Sequence, residues 1–314
     1  MPLLARRTQG PEDSRLISRR IALCCLLAFP AAGQTEDAHP LLEFARERQA
    51  GITTPRPAPV VSVRESRHAL EQARVPSAAE CAASVGASRF AELHADLGAA
   101  LSGEGNYAGA AEAYRNALAC RPRSADLQAA LAGVLFDARD YAGARAAIDT
   151  ALAIDARSVS SNRLAGNLDF VEGRWANAVS RFRYVAASDP DRQQASYGQL
   201  MFWLAQARGG IEHPEYVERT PGEGWPQPLL LYLRGEYTES ELLMPIKAGD
   251  DADNSQPNTS TDERLCEALY YVGEAYWARG EPKVALDYFT ALVNLRIIYF
   301  LEHGLALAEI AKLR

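Results

Sequence analysis

Residues 97–122 read LGAALSGEGNYAGAAEAYRNALACRP, and the same order of residue classes returns 34 residues later and again 34 after that. The first set is Leu97, Gly98, Leu101, Tyr107, Ala110, Tyr114, Ala117 and Pro122. The second is Leu131, Ala132, Leu135, Tyr141, Ala144, Ile148, Ala151 and Ala156. The third is Ala165, Gly166, Asp169, Trp175, Ala178, Phe182, Val185 and Pro190. Small residues at Gly98, Ala132 and Gly166 let one helix approach its neighbour closely, and Ala110, Ala144 and Ala178 do the same from the other side. Tyr114, Ile148 and Phe182 fill the gap to the next pair. Turn-forming residues separate the helices at 103–106, 138–140 and 172–174. Pro122 and Pro190 end the second helix, because proline cannot continue one.

A 34-residue period with these classes is that of the tetratricopeptide repeat, a helical hairpin. One hairpin cannot bury its apolar face alone, so such units stack into arrays. The expected fold is therefore all-α, an α-solenoid of hairpins with a C-terminal capping helix. Composition agrees: 314 residues, 48% hydrophobic, rich in alanine and leucine, which lose little freedom in a helix. The formal net charge of −7 argues against a nucleic-acid partner, since phosphate binding is driven by Lys and Arg.

Residues 1–33 have the order of an export signal: Arg15, Arg19 and Arg20, an apolar stretch from Ile21 to Phe29, then Ala31, Ala32 and Gly33. Removing them takes away five basic and two acidic residues and leaves a net charge of −10. Ser18-Arg19-Arg20 loosely fits a twin-arginine signal. Cys24 and Cys25 stand where a lipoprotein would be acylated, but no small residue precedes them. A mis-assigned start or a cytoplasmic chain is the plainer alternative. Beyond the signal, Cys81, Cys120 and Cys266 are odd in number and far apart, so no disulfide framework or metal spacing is implied. Cys81 and Cys120 would meet only if the first helices pack together; buried small hydrophobes are the favoured reading.

Residues 34–88 form an arm with a proline-rich linker and short helices near 64–74 and 78–85. Three regular repeats occupy 89–190. A degenerate region follows over 191–261, with helices expected at 194–208, at 229–234 and from Thr238 or Glu239, then a polar loop from Ala248. A final repeat and closing helix fill 262–314, the helix running from Ile298 to Leu313 and capping the open end.

Two stretches resemble NlpI-type periplasmic tetratricopeptide proteins. One is Tyr271-Val-Gly273-Glu-Ala-Tyr276-Trp277-Ala-Arg-Gly280-Glu281. The other is Phe300-Leu-Glu302-His303-Gly-Leu-Ala306-Leu-Ala-Glu309-Ile-Ala-Lys-Leu313. The helix around Trp203 to Gln206 and the tryptophan-containing loop after it are similar as well. The resemblance spans roughly 89–313. It implies a non-catalytic adaptor of the cell envelope, in a family of dimeric outer-membrane lipoproteins that dock a protease and peptidoglycan hydrolases. The implied partners are such envelope proteins and a second copy of the chain. This chain departs from the family in lacking a lipobox and in its N-terminal arm.

No catalytic signature stands out. His39, His68, His94, His213 and His303 are scattered, without metal-ligand spacing. No nucleophile elbow, phosphate loop or dinucleotide fingerprint occurs. The acidic stretch 251–262 has the length of a calcium loop but lacks its central glycine and contains Pro257. Neither enzyme activity nor a cofactor is expected. The alternatives are a cytoplasmic assembly factor, or a catalytic subunit using Glu212, His213, Glu215 and Glu218.

In a tetratricopeptide array the first helix of each hairpin faces a concave groove. The positions expected there are Phe136 and Asp137; Arg163, Asn167 and Phe170; Gln194, Tyr197 and Met201; and Tyr270, Glu274 and Trp277. Arg163 and Asn167, one turn apart, make half of a clamp for a peptide carboxylate. An ion pair or interhelix contact is the plainer reading for them, and core packing is the plainer one for Phe136, Phe170 and Trp277. Trp203 and Trp225 read as core.

Overall fold

In the computed structural model, residues 39–50, 52, 63–72, 87–211, 214–216, 224–248, 260–297 and 300–314 are described. Among them are fourteen helices and no strand. We number them α1 Pro40–Gln49, α2 Val63–Gln72, α3 Ala87–Gly103, α4 Tyr107–Cys120, α5 Ala125–Asp137, α6 Tyr141–Ile154, α7 Val159–Val171 and α8 Trp175–Ser188. There follow α9 Arg192–Arg208, α10 Gln227–Leu233, α11 Glu239–Lys247, α12 Thr261–Ala278, α13 Pro282–Asn294 and α14 Leu301–Leu313. The fold is an all-α solenoid. The helix expected over 78–85 and most of the polar loop after Ala248 lie outside the described residues.

The helices pack as antiparallel neighbours, α3 on α4, α5 on α6, α7 on α8, and α12 on α13. Their starts are fixed locally. Asn106 and Asp140 accept hydrogen bonds from the amides of Gly109 and Gly143, and Ser124, Ser158 and Asp191 do the same ahead of α5, α7 and α9. The turns inside the three hairpins place Gly105, Arg139 and Gly173, again 34 apart, in the left-handed region at φ 77°, 63° and 71°. Glycine adopts it freely, whereas Arg139 meets the Cβ penalty there.

Close approach sets the spacing of the layers. A Cβ on Gly198 of α9 would lie 2.9 Å from the backbone nitrogen of Ala186 on α8. Asp169, where the other repeats carry leucine, is 1% exposed. It is held by Arg145 at 2.9 Å, Arg174 at 2.9 Å and Arg181 at 2.8 Å, so three guanidinium groups stand in for an apolar contact.

Two elements depart from a simple row of hairpins. Helix α1 lies at the far end, against α11, α12 and α13. There Glu239 accepts from the hydroxyls of Tyr276 and Tyr288 at 2.8 and 2.6 Å, with the His39 Nδ1 3.2 Å from Tyr288. The closing helix α14 packs on α12 and α13, and it also reaches α5 and α7, the first helices of the second and third hairpins. The closing helix therefore caps the last hairpin and in addition reaches inward. Leu305, Ala306 and Ile310 are among its buried apolar residues.

Gly198→Ala forces the α8–α9 contact apart, since a backbone atom cannot yield as a side-chain tip can; about 1–3 kcal/mol of stability is lost in urea unfolding. Arg139→Gly relieves the left-handed turn and gains about 1 kcal/mol in the same assay.

Candidate functional site

The concave side of the array is partly filled by the chain itself. Phe136 is 2% exposed, Phe170, Tyr270 and Glu274 are 0%, and Met201 is 4%. The core-packing reading therefore holds for Phe136 and Phe170. Asp137 stays exposed at the end of α5.

What fills the groove is organised around Arg208, at the end of α9. Its side chain is 7% exposed and pairs with Glu274 of α12, while a second guanidinium nitrogen lies 3.5 Å from Glu309 of α14. The guanidinium lies 3.6 Å from the ring centre of Trp277, with Trp175 and Phe170 at 5.1 and 5.8 Å. Lys312 adds a 2.7 Å bond to Glu309. Of the expected groove positions, Phe170 and Glu274 are thus buried around Arg208, while Trp277 stacks on it half-buried.

Beside this cluster a half-open cleft of about 320 Å³ remains between α7, α9, α12 and the start of α14. It gathers five of the expected positions, Arg163, Asn167, Gln194, Tyr197 and Met201, together with Glu267, Tyr271, Phe300, Leu301 and Glu302. Arg163 pairs with Asp189 and donates to Gln194 at 2.8 Å. Its charge is already answered, which corrects the half-clamp reading in favour of an interhelix contact. Asn167 is 3% exposed and its Oδ1 has no hydrogen-bond partner. Glu267 accepts from the Tyr197 hydroxyl at 2.8 and 3.0 Å and from the Trp225 Nε1 at 2.6 Å. Burial, with Glu302 adding repulsion, holds the Glu267 carboxyl well above the usual carboxylate range. The Glu302 carboxyl takes a hydrogen bond from the Tyr271 hydroxyl, yet burial still pushes it up to about 7.

Residues 101–163 match the tetratricopeptide repeat family. That stretch carries tetratricopeptide repeats. A solved structure described as the functional characterization of Pseudomonas aeruginosa pilF is 17% identical, over 66% of this chain and 77% of that one, with a TM-score of 0.40. That likeness is loose, and the fold stands on the repeats themselves. Tetratricopeptide arrays are protein-interaction scaffolds.

Arg208, Trp225, Glu267 and Glu302 are missing from the sequence-expected set. Glu267 carried a signal: with Tyr270, Tyr271 and Glu274 it follows the i, i+3, i+4, i+7 spacing of one face of α12. Arg208, Trp225 and Glu302 lie outside the regular repeats, so no periodicity pointed to them.

Arg208→Leu leaves Glu274 buried without its cation and Glu309 with Lys312 alone, and costs about 3–5 kcal/mol in urea unfolding near neutral pH. Glu302 behaves in the opposite sense. Its raised pKa means that the folded state binds the proton more tightly, so its contribution falls as pH rises from about 4.5 to about 7. Glu302→Gln is therefore more stable than the parent at pH 8, by about 1–3 kcal/mol, and the gap closes toward pH 4.5.

Proposed function

We propose that this protein is a non-catalytic scaffold of the bacterial cell envelope that grips another polypeptide in the cleft beside α14. The observation that carries the reading is the cleft itself: first helices of neighbouring hairpins form its walls, and a buried polar group in it lacks a partner. Deep pockets with few, convergent polar groups are where proteins take ligands. A tetratricopeptide array offers that pocket on a rigid frame.

Export is supported by two independent features. One is the arginine-then-apolar order of residues 15–33. The other is that Cys120 is disulfide-bonded, its partner lying outside the described residues. This replaces the reading of Cys120 as a buried thiol, and disulfides persist chiefly in oxidising compartments. Cys266, by contrast, is a buried free thiol. The closing stretch 300–313 supports an NlpI-like role, with envelope proteases or peptidoglycan hydrolases as partners.

Fractionation and affinity capture test this reading together. The expected result is recovery from the periplasm with residues 1–33 removed, and capture from envelope extract of partners that Tyr197→Ala, which opens the cleft wall, fails to hold. Recovery from the cytosol with an intact N-terminus overturns export. Partners retained in full by Tyr197→Ala overturn the cleft as the docking site.

A further inference from the structure

The cleft is chemically one-sided. Its cation, Arg163, is engaged by Asp189, which is itself 5% exposed, and by Gln194. Its carboxyl groups are not matched in the same way. Glu267 and Glu302 are 4% and 6% exposed, and the donors that reach them from Tyr197, Trp225 and Tyr271 are neutral. Two buried carboxyl groups without a cation are costly to ionise, because desolvation penalises charge that nothing offsets, and an entering cation supplies that offset. A third acceptor, Asn167 Oδ1, is nearly fully buried on the same cleft and has no hydrogen-bond donor. An orphaned buried acceptor forfeits the bond it had to water. Met201, Tyr271, Phe300 and Leu301 supply apolar wall around these groups.

We propose that the cleft receives a lysine or arginine side chain from the partner polypeptide, with its apolar stem against Met201 and Phe300 and its charged head donating to Glu302 and Asn167. The inference rests on the scaffold reading and names the chemistry of what the scaffold holds. A long cationic side chain fits the lining on three counts. It brings the missing positive charge, it carries several N–H donors for an acceptor-rich pocket, and its stem is apolar. The cleft volume of about 320 Å³ is at the small end for ligand sites and suits one side chain rather than a folded segment. The acidic balance of the whole chain, −7, steers basic partners toward it.

The test is calorimetric titration of the full chain at pH 8 with four blocked peptides, acetyl-Gly-Xaa-Gly-amide, where Xaa is arginine, lysine, norleucine or glutamate. Saturable binding of the arginine or lysine peptide is expected, with none from the other two. Glu302→Gln, which retains the fold, weakens that binding by about tenfold or more, as loss of one charge-assisted hydrogen bond requires. Asn167→Ala weakens it further in the double variant. Equal binding of norleucine and arginine peptides, preference for glutamate, or no binding of any peptide overturns the inference. Its failure is distinct from failure of the scaffold reading: envelope partners captured equally by the parent and by Glu302→Gln sink the cationic assignment and leave the scaffold standing.

Discussion

Arg208 sits where three layers of the molecule meet. It comes from α9 at the end of the regular array, pairs with Glu274 on α12, and approaches Glu309 on α14. Trp277, Trp175 and Phe170 stack around it. A guanidinium is suited to this place because it bonds in its plane and stacks on its faces. The joint decides where α14 goes, and α14 decides what remains of the concave groove. Beside this joint, the described residues leave a cleft lined by α7, α9, α12 and the start of α14.

This arrangement changes what the groove can do. An open tetratricopeptide groove offers a broad surface on which several aromatic side chains compete to anchor a partner. Here Phe136, Phe170 and Tyr270 are consumed in packing, and the accessible remainder is small, acidic and short of donors. On the proposed reading, specificity comes from charge and hydrogen bonding at one point, with the unpaired Asn167 acceptor disfavouring a side chain that brings no donor. The raised pKa of Glu302 has the same physical cause: a carboxyl in a poorly solvated place resists ionising while no cation stands beside it.

The hairpins were legible in the sequence because their cause is local and periodic. Gly98, Ala132 and Gly166 recur at the spacing that close helix approach demands, and the capping residues Asn106 and Asp140 precede the helices they start. Five of the cleft positions were legible for the same reason, since a repeat with a known inner face carries its register forward. The rest was set by contacts distant in sequence. Nothing near Arg208 reveals that residues 66 and 101 positions later complete its pairing, and Trp225 meets Glu267 across 42 residues. The half-clamp expected at Arg163 and Asn167 shows the same limit. The spacing placed both on one face, but Asp189, at the end of the second helix of the same hairpin, had already taken the charge.

Hydrogen exchange over residues 301–313 tests the seating of α14 most directly. A helix of thirteen residues is marginal in water by itself, so protection there reports docking rather than intrinsic helicity. Docked as described, α14 exchanges as slowly as α12, and Arg208→Leu speeds it markedly while leaving α5 and α6 slow. Exchange of α14 at the rate of an unprotected chain end, with α12 slow in the same molecule, would contradict a self-filled groove and with it the cleft that depends on it.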